Sequence, residues 1–260
     1  MPYPLGFLFT SSFPQFGLVH SLAIAAGYQW REVTSSICVR NGQHVIPVNI
    51  VPSISATIGD YAICRQVWGY WIGLYIGFRL PAVIAFYVSY HPMLMGKETT
   101  LNIKVTLHIV EQLCLLGLTV VTSKENLLFH QIYFALFWAA SVLSLIVTTW
   151  INQQVVATNR VPTAGIGLQR LRAALFMRRW LLFVHLASSV SAFYWYFAHE
   201  TYCQDYQYTY FAISEWALVF SNVYFHMCEV FETYDLTITL QRQPYLASGA
   251  VVPLAEEKKT

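Results

Sequence analysis

The sequence predicts an all-α membrane protein, a polytopic bundle of about six transmembrane helices, on three observations. Charged residues make up only 11% of the 260 positions and hydrophobic residues 56%, whereas an average soluble domain is about 25% charged. Several windows approach or exceed the roughly 20 apolar residues that a helix needs to cross a bilayer. Those windows are continuous rather than alternating, as membrane barrel strands would be, and helices satisfy every backbone hydrogen bond within hydrocarbon. The same composition excludes a disordered chain, because 16% aromatics is too many. A net charge of +2 with no basic cluster between aromatics excludes a nucleic-acid partner.

The first window, Leu5–Tyr28, is interrupted by Pro14, Gln15 and His20 and is the weakest, with a loose interfacial segment as the alternative. No positive charge precedes it, so it does not read as a signal peptide. Val67–Tyr90 is broken only by Arg79 and Pro81, and Ile103–Val121 contains His108 and Glu111. Gln131–Ile151 carries no charge, and Arg179–His199 has only His185 in its interior. Tyr208–Phe231 includes Glu215, Asn222 and His226. Residues 1–239 thus form one bundle with a long loop at about 29–66. Residues 240–260, with Pro244, Gly249 and Pro253, read as a disordered tail.

Charge orients this bundle. Six spans put both termini on one side, with Lys97, Lys104, Arg160, Arg170, Arg172, Arg178, Arg179, Arg242, Lys258 and Lys259. The other side receives Arg31, Arg40, Arg65 and Lys124. The positive-inside rule makes both termini, and the tail, cytosolic and the 29–66 loop lumenal. The segment Val161–Arg179 mixes leucines with arginines, either as an amphipathic helix on the headgroups or as plain flanking charge. Cys38, Cys64 and Cys203 fall on the lumenal side, where one disulfide can form. Cys38–Cys203 is the expected pair and three free thiols are the alternative. No Cys/His spacing suggests a metal.

An ionised side chain at the bilayer centre costs about 2.5–3.5 kcal/mol on insertion scales, so the intramembrane polar residues face the interior or serve function. His108 and Glu111 are three apart on one helix face. Glu215, Asn222 and His226 fall on one stripe of the last helix. With Arg79 these residues are expected to converge. They would do so as paired structural groups with Arg79 bound to Glu111 or Glu215, as a lipid-headgroup pocket for acyl transfer, or as a proton or solute path. In the pocket reading His108 or His226 is the base, a carboxylate orients it, and Arg79 holds a phosphate.

Ordered motifs then add a resemblance. They are Asn49–Gly59 (NIVPSISATIG), Val67-Trp68 with Ile72 and Arg79, and Ile109–Glu111 through Thr119 with Ser123 and Glu125. Tyr196-Phe197, Tyr202-Cys203, Phe211–Glu215, Ser221-Asn222, Phe225–Met227 and Glu256–Lys258 follow in order. With these the chain resembles the post-GPI-attachment-to-proteins factor two family, within the Frag1/DRAM/Sfk1 group of six-span proteins. The resemblance implies lipid remodelling of glycosylphosphatidylinositol (GPI) anchors in the Golgi membrane, possible presence in the endoplasmic reticulum, and reacylation of lyso-GPI with a saturated fatty acid. The chain would act as the acyltransferase or as its essential component, with a GPI lipid or GPI-anchored protein, membrane lipids and other remodelling enzymes as partners. No cofactor is implied; acyl-CoA or a phospholipid would enter as the acyl donor. The alternative is a non-enzymatic lipid-binding or scaffolding protein of the DRAM/Sfk1 type. Carried over on matching positions are Glu111, His226 and Glu215 as catalytic residues and Arg79 and Asn222 as substrate-binding residues. Cys203 also matches, and the run from Pro52 through Ser53 and Ser55 would lie near the anchor headgroup. The family usually carries Asn at the position of His108, so no role is carried to that residue.

Overall fold

Among the residues described by a computed structural model, four helices are long and apolar enough to cross a bilayer. The structure describes residues 10–59, 61–158 and 166–229. The elements are α1 (Phe13–Tyr28), α2 (Trp30–Thr34), β1 (Cys38–Arg40), β2 (Gln43–Val45), α3 (Ile54–Gly59), α4 (Ala62–Tyr90), α5 (Glu98–Val120), α6 (Leu127–Thr158), α7 (Ile166–Tyr202) and α8 (Gln207–Met227). The spans are α4 with its 3-10 extension to Leu94, and α5, α6 and α7. The chain is therefore an all-α polytopic membrane protein, with one small hairpin. Helix α8 has 21 residues, about 31 Å at 1.5 Å per residue. It is long enough to cross, but its polar stripe dilutes its hydropathy. Of the weak first window, α1 covers 16 described residues. The 240–260 tail, and Arg160, Arg242, Lys258 and Lys259 from the charge tally, lie outside the described residues.

Packing follows from what each helix face carries. Leu18 of α1 joins Ile54, Trp68 and Ile72 in one apolar cluster. Gly17 makes that approach close, since a Cβ there would meet the Trp68 and Trp71 side chains at 3.1 Å. On α5, a Cβ at Gly117 would fall 2.5 Å from the Tyr133 ring of α6. Trp138 of α6 donates to Ser189 of α7 at 2.9 Å. Helix α7 meets α8 through the Ser191–Ser214 bond at 2.8 Å and through Arg178 stacked 4.4 Å from the Phe225 ring centre. The outward faces hold exposed Ile84, Leu113, Leu143 and Val190, while Arg79 and Lys104 are only 2% and 3% exposed. Apolar outside and polar inside is the arrangement hydrocarbon requires.

Two sequence readings change here. The arginine-rich segment is neither a separate surface helix nor a simple flank: from Ile166 it is the start of the 37-residue α7, about 55 Å long against a hydrocarbon core of about 30 Å. The helix is therefore longer than the apolar layer, with Arg172 near its start exposed and Arg178 buried in the bundle. Lys104, also read as flanking charge, is buried above the Phe86 ring.

The long 29–66 segment is a structured cap on one end of the bundle, hereafter the hairpin end. Strands β1 and β2 pair antiparallel with Cys38 opposite Val45 and Arg40 opposite Gln43. Asn41 and Gly42, with φ of 51° and 75°, make the two-residue turn that suits a right-twisted hairpin. Cys38 is disulfide-bonded to Cys203 at the end of α7. Arg40 donates to the Cys203 carbonyl, the Val48 amide donates to Asp205, and the Ile50 amide donates to Thr209. Two polar regions result inside this frame, one deep in the bundle and one under the cap.

Candidate functional site

The deep region is a buried ionic network. Arg79 of α4 donates through Nη1 to Glu229 Oε2 at 3.0 Å and through Nη2 to His108 Nε2 and His226 Nδ1, both at 3.1 Å. A guanidinium only donates, so both of those ring nitrogens accept, and the protons sit on His108 Nδ1 and His226 Nε2. The second of these donates to Glu111 Oε1 at 3.2 Å, and His108 Nδ1 lies 3.6 Å from Glu111 Oε2. Asn222 donates to the same Glu111 oxygen at 2.7 Å and approaches Ser141 Oγ at 2.6 Å. Arg79, Lys104, Glu111 and Glu229 balance in formal charge, and all four are almost fully buried. Ligand atoms of His108, Glu111 and His226 lie within 4.8 Å of one another. The Arg79 guanidinium reaches two of those three side chains, so a cation would meet a charge of its own sign there.

Arg79 thus pairs with Glu229 rather than with Glu111 or Glu215 as expected from the sequence. The signal for Glu229 was present: it lies three residues after His226 and seven after Asn222, on the stripe already noted. Glu111, His226, Asn222 and Arg79 do come together, with both His226 ring nitrogens engaged.

Glu215 does not join them. It lies toward the hairpin end of α8, where Oε2 accepts the Ile54 amide at 2.8 Å and Oε1 accepts Ser55 Oγ at 3.3 Å. The Pro52–Ser55 run is pinned onto α8 by further bonds. Trp216 donates to the Pro52 carbonyl at 2.9 Å, and Tyr208 donates to Ser53 Oγ at 2.8 Å. His130, which the sequence reading did not select, completes the group. Its Nδ1 donates to the Val121 carbonyl at 2.8 Å, and its Nε2 lies 3.3 Å from Ser55 Oγ. A histidine just before a charge-free apolar window gives no spacing signal. Only the fold brings it to the 49–59 run.

All of these side chains except Trp216 line a cavity of about 560 Å³, within the range of about 300–1,000 Å³ typical of ligand sites. Its polar end carries Ser53, Ser55, His130, Tyr208 and Glu215, with Lys124 at the rim. Its remaining wall includes Phe134, Trp138, Ala192, Phe193 and Phe197 of α6 and α7. Phe197 is 63% exposed, so the apolar wall reaches the outer surface of the bundle. Neither Glu111 nor His226 lines this cavity. The shape, polar at one end and aromatic along the rest, suits a lipid whose headgroup stays under the cap.

Residues 3–236 match the family described as Frag1/DRAM/Sfk1/Cwh43P N-terminal domain. The chain is 30% identical over 209 residues to a Caenorhabditis elegans protein named Post-GPI attachment to proteins factor 2, covering 76% of this chain and 75% of that protein. It is 29% identical over 223 residues to a Xenopus tropicalis protein named Acyltransferase PGAP2, covering 84% and 82%. A Drosophila melanogaster protein named Post-GPI attachment to proteins factor 2 is 28% identical over 196 residues, covering 75% and 74%. No solved structure matches.

Proposed function

The chain belongs to the Frag1/DRAM/Sfk1/Cwh43P N-terminal domain family, and we propose that it remodels GPI-anchor lipids, transferring a saturated fatty acid to lyso-GPI. The relatives' names support this reading: one refers to GPI attachment and another to an acyltransferase. The observation that carries the reading is the cavity under the cap, which joins hydroxyl, imidazole and carboxylate groups to an aromatic wall open toward lipid. The hairpin end faces the lumen on the charge argument, where GPI-linked proteins are displayed, and the membrane is that of the Golgi, with the endoplasmic reticulum as a second location. Lys124 at the rim offers a cation to the anchor's phosphate. The acyl chain of the acceptor lies along Phe134, Trp138 and Phe193, which places the free glycerol hydroxyl at the polar end. A phospholipid in the same leaflet is the donor available there, since acyl-CoA is cytosolic.

Purified protein in lipid nanodiscs, given lyso-GPI and phospholipid with a labelled saturated chain, tests this. Label is expected in GPI with the wild type and is expected to be lost with Ala192→Trp, which fills the cavity. If folded wild-type protein binds lyso-GPI but transfers nothing from a phospholipid or acyl-CoA donor, the chain is a lipid-binding protein and the catalytic reading falls.

A further inference from the structure

Ser55 is the second residue of α3 and is held in place from three directions. The Ile54 amide is bound by Glu215, the Pro52 carbonyl by Trp216, and the preceding Ser53 hydroxyl by Tyr208 and the Ala56 amide at 3.1 Å. Ser55 Oγ faces two acceptors at 3.3 Å, Glu215 Oε1 and His130 Nε2. Glu215 accepts the Ile54 amide on its other oxygen, Oε2, at 2.8 Å, which fixes the carboxylate so that the Ser55 hydroxyl lies between Oε1 and the imidazole. His130 has its Nδ1–H fixed on the Val121 carbonyl, which leaves the Nε2 lone pair directed at the serine. A hydroxyl, a base and a third group that orients the base form the arrangement of an activated nucleophile. Here a backbone carbonyl takes the third place, and all of it sits on the wall of an apolar cavity.

We propose that Ser55 is the nucleophile of a covalent acyl transfer and His130 its base, a role that rests on the acyl-transfer reading above. The cavity volume supports a two-step route. About 560 Å³ accommodates the reacting chain of one lipid rather than a donor and an acceptor together. A covalent intermediate lets them visit in turn. In the first half, Ser55 Oγ attacks the ester carbonyl of the donor phospholipid and gives its proton to His130 Nε2. The bond between the acyl carbonyl carbon and the glycerol oxygen breaks, and the departing lysophospholipid oxygen takes that proton. In the second half, the free hydroxyl of lyso-GPI gives its proton to His130 Nε2 and attacks the acyl-Ser55 carbonyl. The Ser55–acyl bond breaks, and Ser55 Oγ recovers the proton. One ester is exchanged for another, and nothing else is consumed. Glu215 acts as a positioning residue through the Ile54 amide.

The test is to incubate the protein in nanodiscs of phosphatidylcholine carrying a deuterated stearoyl chain, without acceptor, and to map the adduct by peptide mass. One stearoyl group is expected on the peptide holding Ser55, stable to neutral hydroxylamine as an oxyester is, with release of one equivalent of lysophospholipid. Addition of lyso-GPI removes it. Ser55→Ala abolishes adduct and transfer. His130→Ala lowers the acylation rate on the order of 10²–10⁴-fold, as expected for loss of a general base. Ser55→Cys keeps a nucleophile in place and shifts the adduct to a hydroxylamine-labile thioester, a readout that a structural role would not produce. Wild-type transfer to lyso-GPI with no adduct, and at an unchanged rate in Ser55→Ala, overturns the proposal and leaves the acyl-transfer reading standing. An adduct that lyso-GPI does not discharge keeps Ser55 as nucleophile and overturns the acceptor instead. Absence of both adduct and transfer in folded wild type overturns both.

Discussion

The Arg79–Glu229 network and the Ser55–His130 pair each set histidine beside a carboxylate and a smaller polar partner, yet their surroundings differ. In the deep network both His226 nitrogens are committed, to Arg79 and to Glu111, the ionised groups are almost fully buried, and the space beside Glu111 and Asn222 is only about 60 Å³. Under the cap, one His130 nitrogen is fixed on a backbone carbonyl while the other faces a serine on a cavity wall. The same residue types are therefore a structural clamp where a histidine is held through both ring nitrogens, and a candidate site where one nitrogen is aimed at space a ligand can enter. Residue type in a span signals a polar interior; access separates the two roles.

The largest effect expected from breaking this contrast lies in the clamp. Arg79→Met leaves Glu229 buried without its cation and should cost about 3–5 kcal/mol, read as loss of unfolding stability in detergent. Arg79→Met with Glu229→Met removes both charges and should recover most of that loss, because truncating one partner is worse than removing the pair. Molecules that remain folded should transfer acyl groups near the wild-type rate. A stable Arg79→Met protein with no transfer would move the reacting site into the network and erase the distinction. Next comes the cap. Cys38 and Cys203 are 165 residues apart in sequence, and opening their bridge should cost about 2–4 kcal/mol. Because Ser35 and Ser36 beside the hairpin line the cavity, Cys38→Ser should also lower transfer, measured alongside thermal stability. A protein unaffected in both would show that the cap is not held by the bridge.

A third effect lies at the α5–α6 contact. Gly117→Ala drives a methyl group into the Tyr133 ring and should destabilise by about 1–3 kcal/mol, as overpacking does. Tyr133→Leu in the same chain should restore stability by vacating the space. If Gly117→Ala alone unfolds at the wild-type temperature, the close approach is not a constraint on the fold.

Much of the clamp was legible in the sequence. His108 and Glu111 share a face by their spacing, and Asn222 and His226 repeat close to the helical period. Lys104 and Arg178 were not, since a cation near the end of an apolar window reads as flanking charge. Only the true helix starts at Glu98 and Ile166 put them inside. The cap was only partly legible. Asn41-Gly42 is a hairpin signal that a loop reading passed over, and the Asn49–Gly59 run stood out as a motif without a partner. His130 was invisible because its role depends on a contact 75 residues away in sequence. Periodicity reports neighbours on one helix and is silent about contacts between a span and a loop.

The smallest effect ties a surface pair to that hidden contact. Arg65 donates to both Glu125 oxygens, at 2.6 and 3.0 Å, and to the Val120 carbonyl at 2.9 Å. Glu125 also accepts the Thr122 amide at 3.3 Å. The pair thus braces the turn whose Val121 carbonyl orients His130. Hydrogen bonding from Arg65, and then from the Thr122 amide, holds the Glu125 carboxyl below the usual carboxylate range. A carboxyl with a lowered folded-state value contributes its full stabilisation above the ordinary value and loses it as pH falls through the folded one. Exposure keeps that contribution small. Glu125→Gln should therefore unfold slightly earlier than wild type at neutral pH, and the gap should close as the solution is acidified past the carboxylate range. Its transfer rate at neutral pH should fall modestly, because the turn holding His130 loosens. An equal gap at every pH would mean that the carboxylate's charge is irrelevant. An unchanged rate would mean that the His130 ring is held without help from this turn.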